Sequence, residues 1–480
     1  MNLGTLDRHR LLLLLAMAIA ARAVTFGNPI VHVDEDFYFT VARDMWGGAL
    51  PYVDIWDRKP PGLFLIYLLP AALPFGCGII AYQALALVAV VITAWIIARL
   101  AEAGGWARGA TLSGVAYILW LNLASGQGGQ SPVFYNPLMA GAALLIIGNR
   151  ARSGWRDGAA MLLVGLALQV KYSALFEGLF FGIWIMARDW RAGRPIGRVA
   201  VRGVGLATLA LLPTIAAAGY YAAVGHLDAF TFANFRSISA RRTDPALERV
   251  GNFLKVAALL LPLLVMAVDS VRHGAGGQVA DQPQGEVAPG AQRFFLCWLS
   301  VAVAGIVVFG GWFDHYALPA FVPGAVCAAG FLGARQRGRV VALGLAALIG
   351  TVTTVADRLG RGGPAQFEGL VHAIGDGPGC LWVYSGTPKI YTAVPRCRVT
   401  RYLFPSHLYR TREQGAIGVD QEAEVRRILA LAPQVIVMRP LSIGERPAIR
   451  AIVTAAIARR YVVAAHRPLG RETLTIYRRR

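Results

Sequence analysis

The stretch 28–62 holds the residues best suited to chemistry. Asp34, Glu35 and Asp36 are consecutive, Asp54 follows, and Asp57-Arg58-Lys59-Pro60-Pro61 closes the segment. A positioned carboxylate is a standard general base for an incoming hydroxyl. A lysine ammonium is a compact point charge that holds a phosphate without needing the fork geometry of arginine. Only four of the 47 basic residues are lysines (Lys59, Lys171, Lys255 and Lys389), so a lysine here carries information. Asp34 stands where a helix N-cap is expected, and Phe37, Tyr38, Val41 and Met45 follow at helical spacing. Acids at that position also complement a helix dipole, so capping and proton transfer are both open to them. Lys59 has a second role available too, as an interfacial anchor ahead of prolines that open a helix.

The elements that must position these groups are membrane helices. Of 480 residues, 56% are hydrophobic and 15% charged, with mean hydropathy +0.51. Soluble globular chains carry about 25% charged residues. Apolar runs close to the ~20 residues that cross a bilayer recur from residue 10 to 356. They do not alternate polar with apolar, which excludes a barrel and leaves a polytopic α-helical membrane protein. The first run ends at Arg22 and is followed at once by the acidic stretch, so it reads as a retained helix and not a signal peptide. About eleven spans are expected, at 10–27, 79–99, 110–125, 134–148, 159–171, 172–187, 203–224, 253–268, 294–310, 316–332 and 340–356. This threading makes the groups at Arg108, Arg150/Arg152/Arg156, Arg188–Arg202 and Arg335–Arg339 cytoplasmic, as the positive-inside rule requires. The apolar piece 62–75 is short for a crossing and reads as re-entrant or juxtamembrane. Residues 269–293 read as a flexible linker.

The formal charge of +20 is thereby explained without a nucleic-acid partner. The expected domains are a transmembrane part, 1–356, with its first outer loop at 28–62, and a small outer α/β domain, 357–480. Its signals are CLWVYSG (380–386), QEAEVRRILAL (421–431), QVIVM (434–438), AIVTAAIARRYVVAAH (451–466) and TLTIY (473–477). No GxGxxG or P-loop is present, so nucleotide binding is not indicated. Cys380 and Cys397 would be free to pair if that domain lies outside the cytosol. Cys77, Cys297 and Cys327 read as inert thiols in apolar runs.

Further candidates are more dispersed. Lys171 falls in a turn between two short helices, where a charge at membrane depth is a functional candidate and interfacial snorkelling is the plainer role. His315 and Tyr316 lie in GGWFDHYALP (310–319), which serves an aromatic belt or a phosphate or sugar contact. Arg241 and Arg242 sit in an outer loop, 226–252, that is either simply solvated or anion-binding. His32-x-Asp34-x-Asp36 is a weak pattern for a divalent cation.

Asp34-Glu35-x-x-Tyr38, Lys59-Pro60-Pro61 and His315-Tyr316-x-Leu318-Pro319 together resemble the polyprenol-phosphate-dependent GT-C glycosyltransferases, the group of protein O-mannosyltransferases and lipid A aminoarabinose transferases. The likeness in layout runs over 10–356, and the tail looks like the outer domain of some bacterial members. It implies a multi-pass enzyme of the bacterial cytoplasmic membrane, with its site and C-terminal domain on the outer face. A sugar on a polyprenyl phosphate would enter from the membrane lipids and be transferred with inversion to a glycan, lipid or protein hydroxyl. By match, Asp34 is the base, Glu35 orients the acceptor or assists with a cation, and Lys59 holds the donor phosphate. His315, Tyr316 and Lys171 would add donor-phosphate contacts, and Tyr38, Arg241 and Arg242 would face the acceptor. One position departs: Phe37 stands where lipid A-modifying relatives often carry a basic residue. Two other readings are a lipid-linked glycan flippase and a non-catalytic assembly partner. The mostly apolar spans count against the first.

Overall fold

A computed structural model describes residues 5–149, 153–273 and 287–480. Arg150 and Arg152 of the expected basic group, and residues 274–286 of the expected linker, lie outside the described residues. Every expected span falls on a helix. Among the described residues, five helices are long and apolar enough to cross a membrane by length and composition: Phe75–Ala103, Ile196–Ala223, Ala246–Arg272, Ala291–Phe309 and the stretch Gln336–Ile374. Shorter apolar helices run over Pro61–Ala72, Ser131–Ile147 and Phe321–Ala334. The chain is a multi-pass membrane protein with a small C-terminal sheet.

The described chain forms two compact units, neither contiguous in sequence. The first comprises Met1–Val24, Ala84–Ala216 and Arg249–Thr354. It is a helical body whose close approaches rest on small residues, as membrane helix packing requires. A Cβ added at Gly109 would lie 1.8 Å from the Ala329 carbonyl oxygen, so no other residue fits there without moving the Phe321–Ala334 helix. One buried charge cluster in this unit joins three successive helices. Asp157 takes Arg188 at 2.5 Å and also Arg202, while Asp189 takes Arg202 at 2.9 Å and Arg194 at 3.0 Å.

The second unit comprises Thr25–Gln83, Ala217–Glu248 and Val355–Arg480. Its sheet has four strands, β1 (Leu381–Val383), β2 (Val435–Met438), β3 (Tyr461–Leu469) and β4 (Glu472–Arg479), in the order β1-β2-β4-β3. β1 and β2 are parallel, in register at Trp382 and Ile436, and the remaining pairs are antiparallel. β1 and β2 are buried along their whole length, which explains their unbroken apolar runs LWV and VIVM. The expected segment 451–466 divides at Tyr461, with a helix, Pro447–Arg460, before it and β3 after it. Cys380 and Cys397 are disulfide-bonded, closing the end of β1 onto the following turn.

Two segments remote in sequence build the core of this unit. Trp56, from the 28–62 stretch, is 2% exposed and packs with Trp382, Tyr402, Leu408 and Ile436. Its ring meets His407 edge-on at 4.6 Å and Tyr402 at 5.8 Å. The backbone N–H of Trp56 donates to the Arg401 carbonyl at 3.0 Å. Burying a residue of this size is worth several kcal/mol. The stretch 46–60 is therefore held by the core of the C-terminal segment and not by regular structure of its own.

Candidate active site

The helix Val33–Met45 carries the three consecutive acids. Its N-cap is His32, whose Nδ1 accepts the Asp34 N–H at 3.2 Å, and not Asp34 as the sequence suggests. The helix begins two residues earlier than expected because an imidazole nitrogen serves as the cap acceptor, and this leaves the Asp34 carboxylate clear of that duty. The three acids then point different ways. Asp34 stays beside His32, with Oδ2 3.8 Å from Nδ1 and the side chain 18% exposed. Glu35 is fully buried. Asp36 turns inward, accepting the Thr387 hydroxyl at 2.7 Å and lying 3.8 Å from the Lys389 ammonium. The possible cation pattern His32-x-Asp34-x-Asp36 thus supplies two neighbouring ligands within this unit, because the third is committed to Thr387 and Lys389.

Lys389 is completely buried, with its ammonium 4.4 Å from the Phe39 ring and 5.1 Å from the Tyr82 ring. Burial pushes Asp36 up from the usual carboxylate range and Lys389 down from the usual ammonium range, and their mutual attraction opposes both shifts. The Thr40 hydroxyl, one turn along the helix, accepts from the Thr392 hydroxyl at 2.9 Å. Asp44, near the helix end, accepts from Arg398 at 2.6 Å. The helix is therefore fastened along its length to the segment 387–398, a pairing that nothing local in the sequence announces.

Lys59 ends the irregular stretch. Its carbonyl accepts the Tyr52 hydroxyl at 2.7 Å, and Pro60 and Pro61 open the helix Pro61–Ala72, which has no side-chain cap. Tyr52 itself adopts φ +71°, a left-handed conformation that its ring packing against Tyr221 and Phe230 and its hydroxyl bond hold in place. The Lys59 ammonium lies 5.8 Å from the centroid of the Tyr38 ring. Tyr38 is one helical turn past Asp34, so acid and ammonium address the same end of one helix. Asp57, in the same stretch, is 4% exposed, with Oδ1 accepting the Arg58 N–H at 2.7 Å. Burial raises Asp57; the Lys59 charge, the Arg58 N–H and the Arg58 charge pull it back, and Asp34 repels it. A buried carboxylate that feels both Asp34 and Lys59 belongs to the candidate site, and only its own place beside Arg58-Lys59 hinted at it in the sequence.

The outer-loop arginines divide. Arg241 donates to Glu413 at 2.6 Å, so its guanidinium is engaged by the C-terminal segment. Arg242 keeps an exposed side chain and is held by its backbone N–H on the Arg412 carbonyl at 3.0 Å. Glu413 also accepts from Arg58 at 2.7 Å.

Lys171, His315 and Tyr316 belong to the other unit. Lys171 lies in the turn between the helices Gly154–Leu168 and Ala174–Arg191, as expected, with its ammonium 4.6 Å from the Tyr316 ring. Both line a small cavity of about 30 Å³ with Ser173, Glu177, Gly305 and Phe309. Glu177 is buried there and accepts the Trp298 indole N–H. His315 and Tyr316 form a single turn, Asp314–Tyr316, that Asp314 organises. Asp314 accepts the His315 N–H at 2.8 Å, the Ser125 hydroxyl at 3.0 Å and the Lys255 ammonium at 2.9 Å. Burial alone would raise Asp314, but His315 and Lys255 outweigh it and hold the carboxyl well below its usual range.

No family model and no curated protein sequence matches the chain. Solved structures similar to it include the crystal structure of ArnT from Cupriavidus metallidurans bound to undecaprenyl phosphate, at 16% identity and TM-score 0.46, with 97% of each chain covered. The apo-state structure of the same protein gives 16% identity, TM-score 0.47 and the same coverage.

Proposed function

We propose that the chain is an integral-membrane glycosyltransferase that moves a sugar from a polyprenyl-phosphate donor to an acceptor hydroxyl at the outer face of the cytoplasmic membrane. The observation that carries this reading is the placement of the Lys59 ammonium against Tyr38, one turn from Asp34, on a helix fastened to the C-terminal segment. The acceptor oxygen attacks the anomeric carbon while the bond from that carbon to the phosphate oxygen breaks. Asp34 takes the hydroxyl proton, and the polyprenyl phosphate leaves with the bonding pair, steadied by Lys59. Attack opposite the leaving group inverts the anomeric centre. Asp34 suits the base role because His32, not Asp34, caps the helix and the carboxylate stays partly exposed. Glu35 orients the acceptor, with Tyr38 forming the wall beside it. The exposed Arg242 is proposed as a contact to an anionic acceptor. Arg241 moves from that acceptor role to a structural one, since Glu413 occupies it.

The Cys380–Cys397 disulfide supports an outer location for the C-terminal segment, because such bonds persist outside the cytosol. The reading is tested with the purified protein and a radiolabelled polyprenyl-phosphate sugar. Transfer to an acceptor is expected, and Lys59→Ala should raise the donor KM about tenfold or more. Movement of the lipid across vesicles without transfer would favour a flippase, and neither activity would favour an assembly partner.

A further inference from the structure

Glu413 is a buried carboxylate that the transfer reaction does not use. It ends the short turn Thr411–Glu413 and is 1% exposed. Oε2 accepts from Arg58 Nη2 at 2.7 Å and Oε1 from Arg241 Nη2 at 2.6 Å. Burial alone would raise its pKa, but Arg241, Arg58 and His407 hold it well below the usual carboxylate range, so it stands as an anion between two arginines. Arg58 is fixed further by its Nε bond to the Ser237 hydroxyl at 3.0 Å and by stacking of its guanidinium 4.9 Å from the Trp56 ring. Lys59 is the next residue. Its own carbonyl is held by Tyr52 at 2.7 Å, and Pro60 limits the chain beyond it. The backbone that carries the Lys59 ammonium is thus set on one side by a carboxylate 355 positions from Arg58.

We propose that Glu413 is a positioning residue for Lys59, so that the C-terminal segment sets the affinity of the site for the donor's lipid phosphate. This deepens the transferase reading and rests on it. Two physical effects act together. Fixing Arg58 fixes the path of the following residue, and positioning of a binding group by even an ångström changes what it can hold. Glu413 also engages one Nη2 of Arg58 and one of Arg241 and offsets one of their two charges, which weakens them as bidentate competitors of Lys59 for a phosphate. The anionic lipid is thereby directed to the ammonium next to Asp34.

The test uses the full-length purified protein and measures donor KM and kcat at saturating acceptor for Glu413→Gln, Glu413→Asp, Arg58→Gln and Lys59→Ala. Binding of polyprenyl phosphate without a sugar is measured alongside, by competition. Glu413→Gln should raise donor KM about tenfold with kcat held within about twofold, weaken the competitor in parallel, and be partly rescued by Glu413→Asp. The effect of Arg58→Gln should not add to it, because both break one link. A merely structural Glu413 would lose active protein, lowering kcat at unchanged KM, and that pattern overturns the proposal. A rise in KM for Lys59→Ala with none for Glu413→Gln also overturns it while leaving the transferase reading in place. If Lys59→Ala leaves donor KM unmoved, the donor-site reading itself falls.

Discussion

Two clusters of buried charge are tied in contrasting ways. In the first unit, Asp157 meets Arg188 and Arg202, 31 and 45 positions away, on successive helices. In the second, Arg58 meets Glu413 across 355 positions and Asp36 meets Thr387 across 351. Short-range pairs fasten neighbouring helices to each other and form as soon as those helices dock. Long-range pairs tie the stretch that bears Asp34 and Lys59 to the end of the chain. The acidic helix and the lysine loop are therefore products of the completed C-terminal segment, whereas the Asp157 cluster asks nothing of it.

That contrast can be broken from either side. The largest effect is expected in the first unit. Asp157→Ala leaves Arg188 and Arg202 facing Asp189 alone, and losing one partner of such a cluster should cost about 3 kcal/mol of stability in detergent thermal unfolding. Donor KM of the surviving active fraction should stay at the wild-type value. A changed KM would show that the cluster reaches the chemistry. Slightly smaller is the cost of replacing both Cys380 and Cys397 by serine. With 17 positions between them, the loss should be about 3 kcal/mol or less, read from the same unfolding curves. Because β1 and the 387–398 segment adjoin this bond, donor KM should rise here, unlike in Asp157→Ala.

Smallest and most specific is a pH effect. His407 is buried against Trp56, and burial holds its pKa well below 6.5. A folded-state pKa below the unfolded value gives stability that is full above pH 6.5 and declines as the unfolded state gains a proton below it. The midpoint of unfolding should fall on going from pH 7.5 to 5.5, with a slope that rises toward one proton at the acid end, and His407→Gln should flatten that slope. A wild-type slope retained in the variant would place the titrating group elsewhere.

The sequence discloses what is local. Consecutive acids, a rare lysine before two prolines, apolar runs and the VIVM strand all announce themselves within a few residues, and the apolar runs fall on helices and VIVM on a strand. The cap was misread because an imidazole can replace a carboxylate as acceptor, and residue type alone does not separate them at His32 and Asp34. Glu413 and Thr387 were not legible at all. Each is an unremarkable residue whose meaning comes from a partner more than 170 positions away, and no spacing rule spans that distance. Trp56 is similar: nothing in the surrounding loop points to the core of the C-terminal sheet that it joins. Arg241 looked like a substrate contact for the same reason, its partner being invisible.

The central claim is that Asp34 accepts the proton of the attacking hydroxyl. Single-turnover transfer by Asp34→Asn, with radiolabelled donor already bound, tests it most directly. The account predicts donor binding within about twofold of wild type and transfer slowed by about 100-fold or more. Transfer at the wild-type rate from a normally bound donor would contradict it.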